Sequence, residues 1–381
     1  MHYRSSHEDL YLWDKIKQLH WPLILLITLI SCMGFATLYS AAQGSLHPWA
    51  LQQMMRFAFF FPIMIVIAVI DIRFWMKYSY LAYAAALILL ILVEIAGHRA
   101  MGATRWIRLG PLNVQPSEIM KICLIFTLAR YFHTINQETI GRITTLIPPL
   151  LMIAPPVLLI LKQPNLGTAL ITTMISGAIF FATGVRLWKF GIVLAGGLSA
   201  IPIAWQFMHD YQKKRVLTFL DPERDPLGDG YNIIQSKIAI GSGGLAGKGF
   251  LHGTQSQLSF LPEHQTDFIF TMFSEEFGFI GGIFLLGLFS LLIMIGYTIA
   301  LRSNSHYGRL VATGITTMLF VHVFINIGMN MGILPVVGTP LPLFSYGGSI
   351  MMTMLIGFGF LLNVHVHRNL YIDRSVTGAI T

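Results

Sequence analysis

The stretch Ile283–Ile295 reads IFLLGLFSLLIMI, and Leu23–Ala36 reads LILLITLISCMGFA. A run of about 20 apolar residues crosses a bilayer as a helix, because its backbone N–H and C=O groups then pair within the segment. Blocks of this kind recur along the chain. Of the 381 residues 55% are hydrophobic and 11% are charged, with a mean hydropathy of +0.67. A soluble domain of this length carries far more charge to cover its surface. The sequence therefore reads as an all-α, polytopic integral membrane protein, a single membrane domain over 1–381 with no soluble domain beside it.

Ten crossings are expected, at about 22–42, 54–70, 78–97, 114–133, 144–161, 166–184, 187–207, 268–300, 308–332 and 343–366. The pairs Pro148-Pro149 and Pro155-Pro156 predict a kinked fifth span. Residues 1–21 form a cytoplasmic or interfacial tail, where Leu12, Trp13, Ile16 and Leu19 share a helical face suited to the membrane surface. The first apolar run is long enough to span and acidic residues precede it, so it is not read as a cleaved signal. A large periplasmic loop, 208–267, separates spans seven and eight, and 367–381 is a cytoplasmic tail. Cys32 and Cys123 lie in apolar segments and read as packing residues, neither a disulfide nor a metal site.

With both termini cytoplasmic, the inner loops hold Arg73, Lys77, Arg130, Arg142, Arg186, Lys189, Arg302 and Arg309, the positive-inside pattern. Two outer loops also carry cations: Arg99, Arg105 and Arg108 in one, and Lys213, Lys214, Arg215, Arg224, Lys237 and Lys248 in the long one. Long loops are largely exempt from the rule, so these are either incidental or suited to an anionic lipid headgroup in the outer leaflet.

Ionisable groups inside spans need a partner or a purpose. Glu118 and Lys121 are three apart on span four, hence on one face, as an internal ion pair or the wall of a wet cavity. In span eight, Asp267, Thr271, Ser274, Glu275 and Gly278 form a polar stripe, and Asp267 begins it where the long loop enters the bilayer. That makes Asp267 the leading candidate for chemistry. In span nine, His322, Asn326 and Asn330 read as interhelical hydrogen-bonding groups. The run GSGGLAGKG at 241–249 lacks the spacing of a phosphate-binding P-loop, and its glycines suit tight turns and close approach to a ligand. A second cluster, Gly332 to Gly348, contains three prolines and SYGG. Non-helical backbone at that depth survives only against protein or water.

These stretches resemble one known family. The stretch Ile238 to Gly282, with GSGGLAGKGFLHGTQSQLSFLPEHQTDF, and Asn326 to Ser349, NIGMNMGILPVVGTPLPLFSYGGS, resemble two signatures of the shape, elongation, division and sporulation family. GATRWIRLG at 102–110 and QPSEIMK at 115–121 match two further blocks in the same order. GTQSQL, FLPE and the short N-terminal tail resemble the elongation branch, with the division branch as the nearest rival. The resemblance implies a peptidoglycan glycosyltransferase of the bacterial inner membrane. It would polymerise lipid II into β-1,4 glycan strands on the periplasmic side and release undecaprenyl pyrophosphate.

The resemblance also implies partners: a class B penicillin-binding protein, other elongation-complex membrane proteins, and the undecaprenyl-linked glycan. It implies no nucleic acid and no nucleotide. The family's catalytic aspartate falls on Asp267, its loop tryptophan on Trp106, and its span-four pair on Glu118 and Lys121. Asp267 is the expected base on the acceptor hydroxyl, and Trp106 either packs on a sugar face or anchors the loop at the interface. Arg56, Lys121, Arg215 and Lys248 are candidates for the pyrophosphate, helped by a divalent cation, Mg²⁺ or Mn²⁺. Glu263 and Ser345 complete the substrate-binding set. Two departures stand out: Gln265 occupies the family's histidine position with His264 one earlier, and Asn165 stands where an aspartate is common. The first casts doubt on proton transfer by that histidine, and the second excludes an essential ionised group at 165. A lipid II flippase, which needs access from both faces, and a structural scaffold are the competing readings.

Overall fold

The computed structural model describes residues 12–96, 98–100, 103–109, 112–207, 213, 217, 221, 229–254 and 263–373. Its helices are α1 (Leu12–Lys17), α2 (Trp21–Ala41), α3 (Ala50–Val69), α4 (Ile72–Ala96), α5 (Pro116–Thr134), α6 (Ile143–Lys162), α7 (Leu166–Ala182), α8 (Leu187–Phe207), α9 (Asp229–Ser242), α10 (Ile269–Arg302), α11 (His306–Asn330) and α12 (Gly348–Val366). Seven of them, α2, α3, α4, α6, α10, α11 and α12, are long and apolar enough to cross a membrane. The other three expected spans fall on α5, α7 and α8. Helix α7 has 17 residues, α8 is apolar over Leu187–Ser199 and continues to Phe207, and α5 carries Glu118, Lys121 and Arg130, all buried within the protein.

The burial pattern is that of a bundle solvated by lipid. Helices α11 and α12 are buried over most of their length, and α5 is buried over nearly all of its own. Around them, large apolar side chains such as Leu25, Phe59, Leu81, Leu151 and Ile283 point outward. Lipid supplies little hydrophobic drive between helices, so close packing and hydrogen bonds hold them together. Asn363 of α12 donates to the carbonyls of Ile67 and Ala68 at the end of α3, at 2.9 and 3.2 Å. At the start of α2, the His20 ring accepts from the Leu23 N–H at 3.2 Å. Burial holds that imidazole below its usual pKa and so preserves the accepting lone pair.

The prolines of α6 show how this bundle meets the demand that backbone groups be satisfied internally. Pro149 and Pro156 lack the N–H that would bond the carbonyls of Thr145 and Met152 four residues back. Tyrosines from neighbouring helices replace both bonds: Tyr131 donates to the Thr145 carbonyl at 2.8 Å and Tyr83 to that of Met152 at 2.7 Å. Helix α6 runs through all four of its prolines as one element.

The structure corrects the sequence reading in three places. The expected all-α fold includes a small antiparallel sheet, β1 (His98–Ala100), β2 (Ala103–Leu109) and β3 (Leu112–Val114), between α4 and α5. It pairs Trp106 with His98 and Ile107 with Val114. The segment read as the 208–267 loop contains α9, whose Ile233, Ser236 and Ala239 recur at helical spacing and are buried. Finally, the helix of span eight is not continuous, because Gly278, the last residue of the polar stripe, interrupts α10 with φ 65° and ψ −164°.

That interruption explains the glycine-rich run. Where α10 breaks, residues 244–249 bond to its freed backbone: Lys248 N to the Glu275 carbonyl at 3.1 Å and Gly249 N to that of Glu276 at 3.0 Å. In return, Phe279 N donates to the Gly244 carbonyl at 2.9 Å. Backbone lies on backbone, so a Cβ at Gly247 would sit 2.1 Å from the Glu276 carbonyl oxygen. The close approach is thus to the chain's own helix. Gly247 also has φ +81°. Gly247→Ala should therefore cost at least the ~1–3 kcal/mol typical of overpacking. Thermal unfolding of the detergent-solubilised protein checks this, and an unchanged melting temperature would contradict the clip.

Candidate active site

A cavity of about 330 Å³ opens at the end of the bundle where α5, α7, α10 and α12 begin and α11 ends. Five elements supply its polar wall. Trp106 comes from β2, Glu118 from α5, Asn165 and Thr168 from the start of α7, Glu263 and Asp267 from the approach to α10, and His322 from α11. The bend before α12 closes it with Thr339 and Tyr346, and the first turn of α12 adds Ser349. The sequence-predicted residues Asp267, Trp106, Glu118 and Glu263 are thereby brought to one space.

Asp267 lies two residues before α10, at the positive end of that helix dipole. Its carbonyl accepts from Asn326 and Asn330, each at 2.9 Å. Asn326 also donates to the Thr339 carbonyl at 2.7 Å, and Thr271 donates to the Asn330 amide oxygen at 2.6 Å. The two amides of α11 thus pin the backbone of the aspartate from behind and leave its carboxylate on the cavity wall. Interhelical bonding is their expected role, and here it serves the site directly. Thr266 donates to Glu263 Oε2 at 3.2 Å, orienting the second carboxylate. His264 packs edge-on against Trp49, with ring centroids 5.3 Å apart, and the Gln265 backbone carbonyl accepts from the Tyr346 N–H at 2.9 Å.

The pair on α5 is formed: Lys121 donates to Glu118 Oε1 at 2.7 Å. Lys121 is fully buried and stands behind Glu118, and it also lies 2.8 Å from His322 Nε2. The other ring nitrogen, Nδ1, is 2.7 Å from the Met318 carbonyl. A carbonyl only accepts, so Nδ1 carries the hydrogen and Nε2 accepts from the ammonium. Asn165 caps α7, its Oδ1 accepting from Thr168 N at 3.3 Å, so a neutral amide does the capping.

Other candidates lie elsewhere. Arg56 stacks on the Tyr346 ring at 4.6 Å and reaches its hydroxyl at 3.2 Å, behind the wall that Tyr346 forms. Ser345 is fully buried, and its hydroxyl accepts from Leu341 N at 2.7 Å. Lys248 pairs with the buried Glu275 at 2.7 Å beside the break in α10, away from the cavity. Arg215 lies outside the described residues. Gln53, which the sequence reading passed over, is fully buried in α3 and clamps the cavity's bend, donating to the Ser345 carbonyl at 2.8 Å. Its signal was an amide, with Gln52 and Arg56, in the first turns of an apolar helix.

This architecture, a polar cavity walled by carboxylates at one end of a lipid-facing bundle, has known relatives. Residues 16–370 match the FtsW/RodA/SpoVE family, described as cell cycle proteins, and the chain belongs to that family. Its resemblance to the shape, elongation, division and sporulation proteins is thus borne out. The chain is 44% identical over 374 residues to "Peptidoglycan glycosyltransferase MrdB" of Escherichia coli K12, covering 96% of this chain and 97% of that one. The crystal structure of the rod shape determining protein RodA of Thermus thermophilus has a TM-score of 0.70 at 30% identity, over 92% of this chain and 98% of that one. A structure described as "Structural coordination of polymerization and crosslinking by a peptidoglycan synthase complex" holds a chain with a TM-score of 0.82 at 33% identity, over 92% and 98%.

The pair on α5 can be tested apart from any substrate. Removing one member of a buried ion pair costs about 3–5 kcal/mol, whereas replacing both by apolar groups is often neutral. Glu118→Leu and Lys121→Met should each lower the melting temperature, and the double variant should recover most of the loss. Single variants that unfold like the wild type would show that the pair carries no structural load.

Proposed function

We propose that this chain is a peptidoglycan glycosyltransferase of the elongation type. It polymerises lipid II into β-1,4 glycan strands with release of undecaprenyl pyrophosphate, for lateral wall growth and rod shape. The observation that carries this reading is the Asp267 carboxylate, on the wall of a polar cavity, with its backbone pinned by Asn326 and Asn330. The likeness to MrdB and to RodA supports the same reading and favours the elongation branch over the division branch.

Inversion at the donor sugar in one step needs a base on the attacking 4-hydroxyl and stabilisation of the departing pyrophosphate. Asp267 takes the hydroxyl proton as the new glycosidic bond forms, and the donor's bond to pyrophosphate breaks. Trp106 offers a flat apolar face for a sugar ring at the cavity wall. Lys121 supplies fixed positive charge from behind Glu118. Among the described residues no three histidines, cysteines or acids converge as a metal site. A Mg²⁺ or Mn²⁺, which takes oxygen ligands, would be held there by Glu263 on the cavity wall together with substrate phosphate oxygens. Such an ion would neutralise charge on the leaving group.

Ten helices, α2–α8 and α10–α12, are the proposed crossings, with residues 208–267 leading from α8 to α10. The bundle end away from the cavity gathers Lys15, Arg73, Lys77, Arg130, Lys189, Arg302, Arg309 and Arg368. Contacts link them, among them Lys15 to the Val69 carbonyl, Arg130 to the Lys77 carbonyl and Asn304 N to the Arg368 carbonyl. By the positive-inside rule that end is cytoplasmic, so the cavity opens to the periplasm and both termini stay inside. The fold likeness to a chain of a peptidoglycan synthase complex supports a class B penicillin-binding protein as the crosslinking partner.

Polymerisation of labelled lipid II by the purified protein tests the reading. Asp267→Asn keeps the shape but accepts no proton, so the rate should fall by about 10²–10⁴-fold with the melting temperature unchanged. An Asn variant within about tenfold of wild type is short of the general-base range and would remove Asp267 from that role. In the same assay, adding the class B partner should raise the wild-type rate. Equal rates with and without it would argue against functional coupling.

A further inference from the structure

Helix α11 places an imidazole in a span that apolar packing alone would fill more cheaply. His322 is 2% exposed, lines the cavity, and has both ring nitrogens engaged, Nδ1 with the Met318 carbonyl and Nε2 with Lys121. The backbone bond fixes the tautomer and the ring plane together, so the Nε2 lone pair points in one direction. That direction is the Lys121 ammonium, which spends a second proton on Glu118 Oε1. The other oxygen of that carboxylate, Glu118 Oε2, is buried and has no hydrogen-bond partner among the described residues. A buried unpaired carboxylate oxygen is costly, and at a cavity wall it is an acceptor waiting for a ligand donor.

We propose that His322 is a positioning residue of the reaction. Its Nε2 lone pair fixes the Lys121 ammonium against Glu118 Oε1, which leaves the unpaired Glu118 Oε2 to accept from a hydroxyl or amide of the saccharide substrate. Without His322, the ammonium would have a single acceptor and would swing across both carboxylate oxygens. The substrate donor would then lose its seat. The inference rests on the glycosyltransferase reading and adds a residue that acts through another. Misplacement of such a group shows in turnover more than in affinity.

The test compares His322→Gln, His322→Leu, Lys121→Met and the double variant Lys121→Met/His322→Leu, each purified and assayed on lipid II with the class B partner present. Glutamine can present an acceptor near the position of Nε2, so His322→Gln should keep kcat within about threefold of wild type. His322→Leu should lower kcat by roughly 10²-fold with little change in KM. In the Lys121→Met background, His322→Leu should bring no further loss. Any of three results would overturn the proposal: full activity of His322→Leu, equal loss in the Gln and Leu variants, or a further large drop in the double variant. A rise in KM alone would also overturn it, by making His322 a direct binding group. Should His322→Leu fail to fold, the Gln variant and the paired Lys121→Met backgrounds still decide. If wild type itself does not polymerise lipid II, the proposed function fails instead. The His322–Lys121 contact is then read from melting temperatures alone, where His322→Leu must destabilise wild type and spare Lys121→Met.

Discussion

The two hydrogen bonds from Asn326 and Asn330 to the Asp267 carbonyl join the elements that wall the cavity. A backbone that leaves helical geometry inside a membrane protein must find partners within the protein. The segment entering α10 does so through these amides, and α11 is buried enough to hold them still. The remaining contacts follow from that anchor. Asn326 reaches on to the Thr339 carbonyl, so the bend before α12 is fixed relative to the aspartate, and Gln53 grips the same bend from α3. The cavity is the space left once these elements are tied together.

Much of this was legible in the sequence, and the limits have physical causes. Long apolar blocks give the lipid-facing helices, because the bilayer imposes length and composition together. Helix α5 also declared itself, though through its charges: Glu118 and Lys121 at a spacing of three must share a face, and they do pair. The small sheet around Trp106 was not foreseen, since β1 and β3 have three residues each and β2, ATRWIRL, does not alternate strictly. Lys248 was read as an outer-loop cation for the pyrophosphate and Ser345 as a substrate-binding group, and in the structure each meets a local partner, Glu275 and the Leu341 N–H. Which helix a side chain faces in a polytopic bundle depends on packing that no single span encodes. His322 illustrates the converse. Its amide neighbours on α11 bond to backbone, whereas the imidazole, one turn earlier, bonds to a lysine of another helix.

The glycine-rich run carries a related lesson. Glycines in a loop near an expected site suggest room for a ligand, yet here they make room for the chain. At Gly243, Gly247 and Gly278 an added Cβ would meet backbone at 2.3, 2.1 and 2.3 Å. A motif so specific in sequence thus encodes a joint between a loop and a broken helix, and supports the site from a distance.

That break divides α10 between two solvents. From Ile269 to Glu276 every residue is buried in protein, whereas Phe279, Ile280, Ile283 and Phe284 are exposed on the bundle's outer surface. Residues 279–302 alone measure about 36 Å at helical rise, enough for a hydrocarbon layer about 30 Å thick. During biogenesis, the insertion machinery can therefore sort this element by its second half, and the carboxylates of Glu275 and Glu276 need never partition into lipid. Hydrophobicity governs which substitutions survive beyond Gly278, and complementarity to α9 and α11 governs those before it.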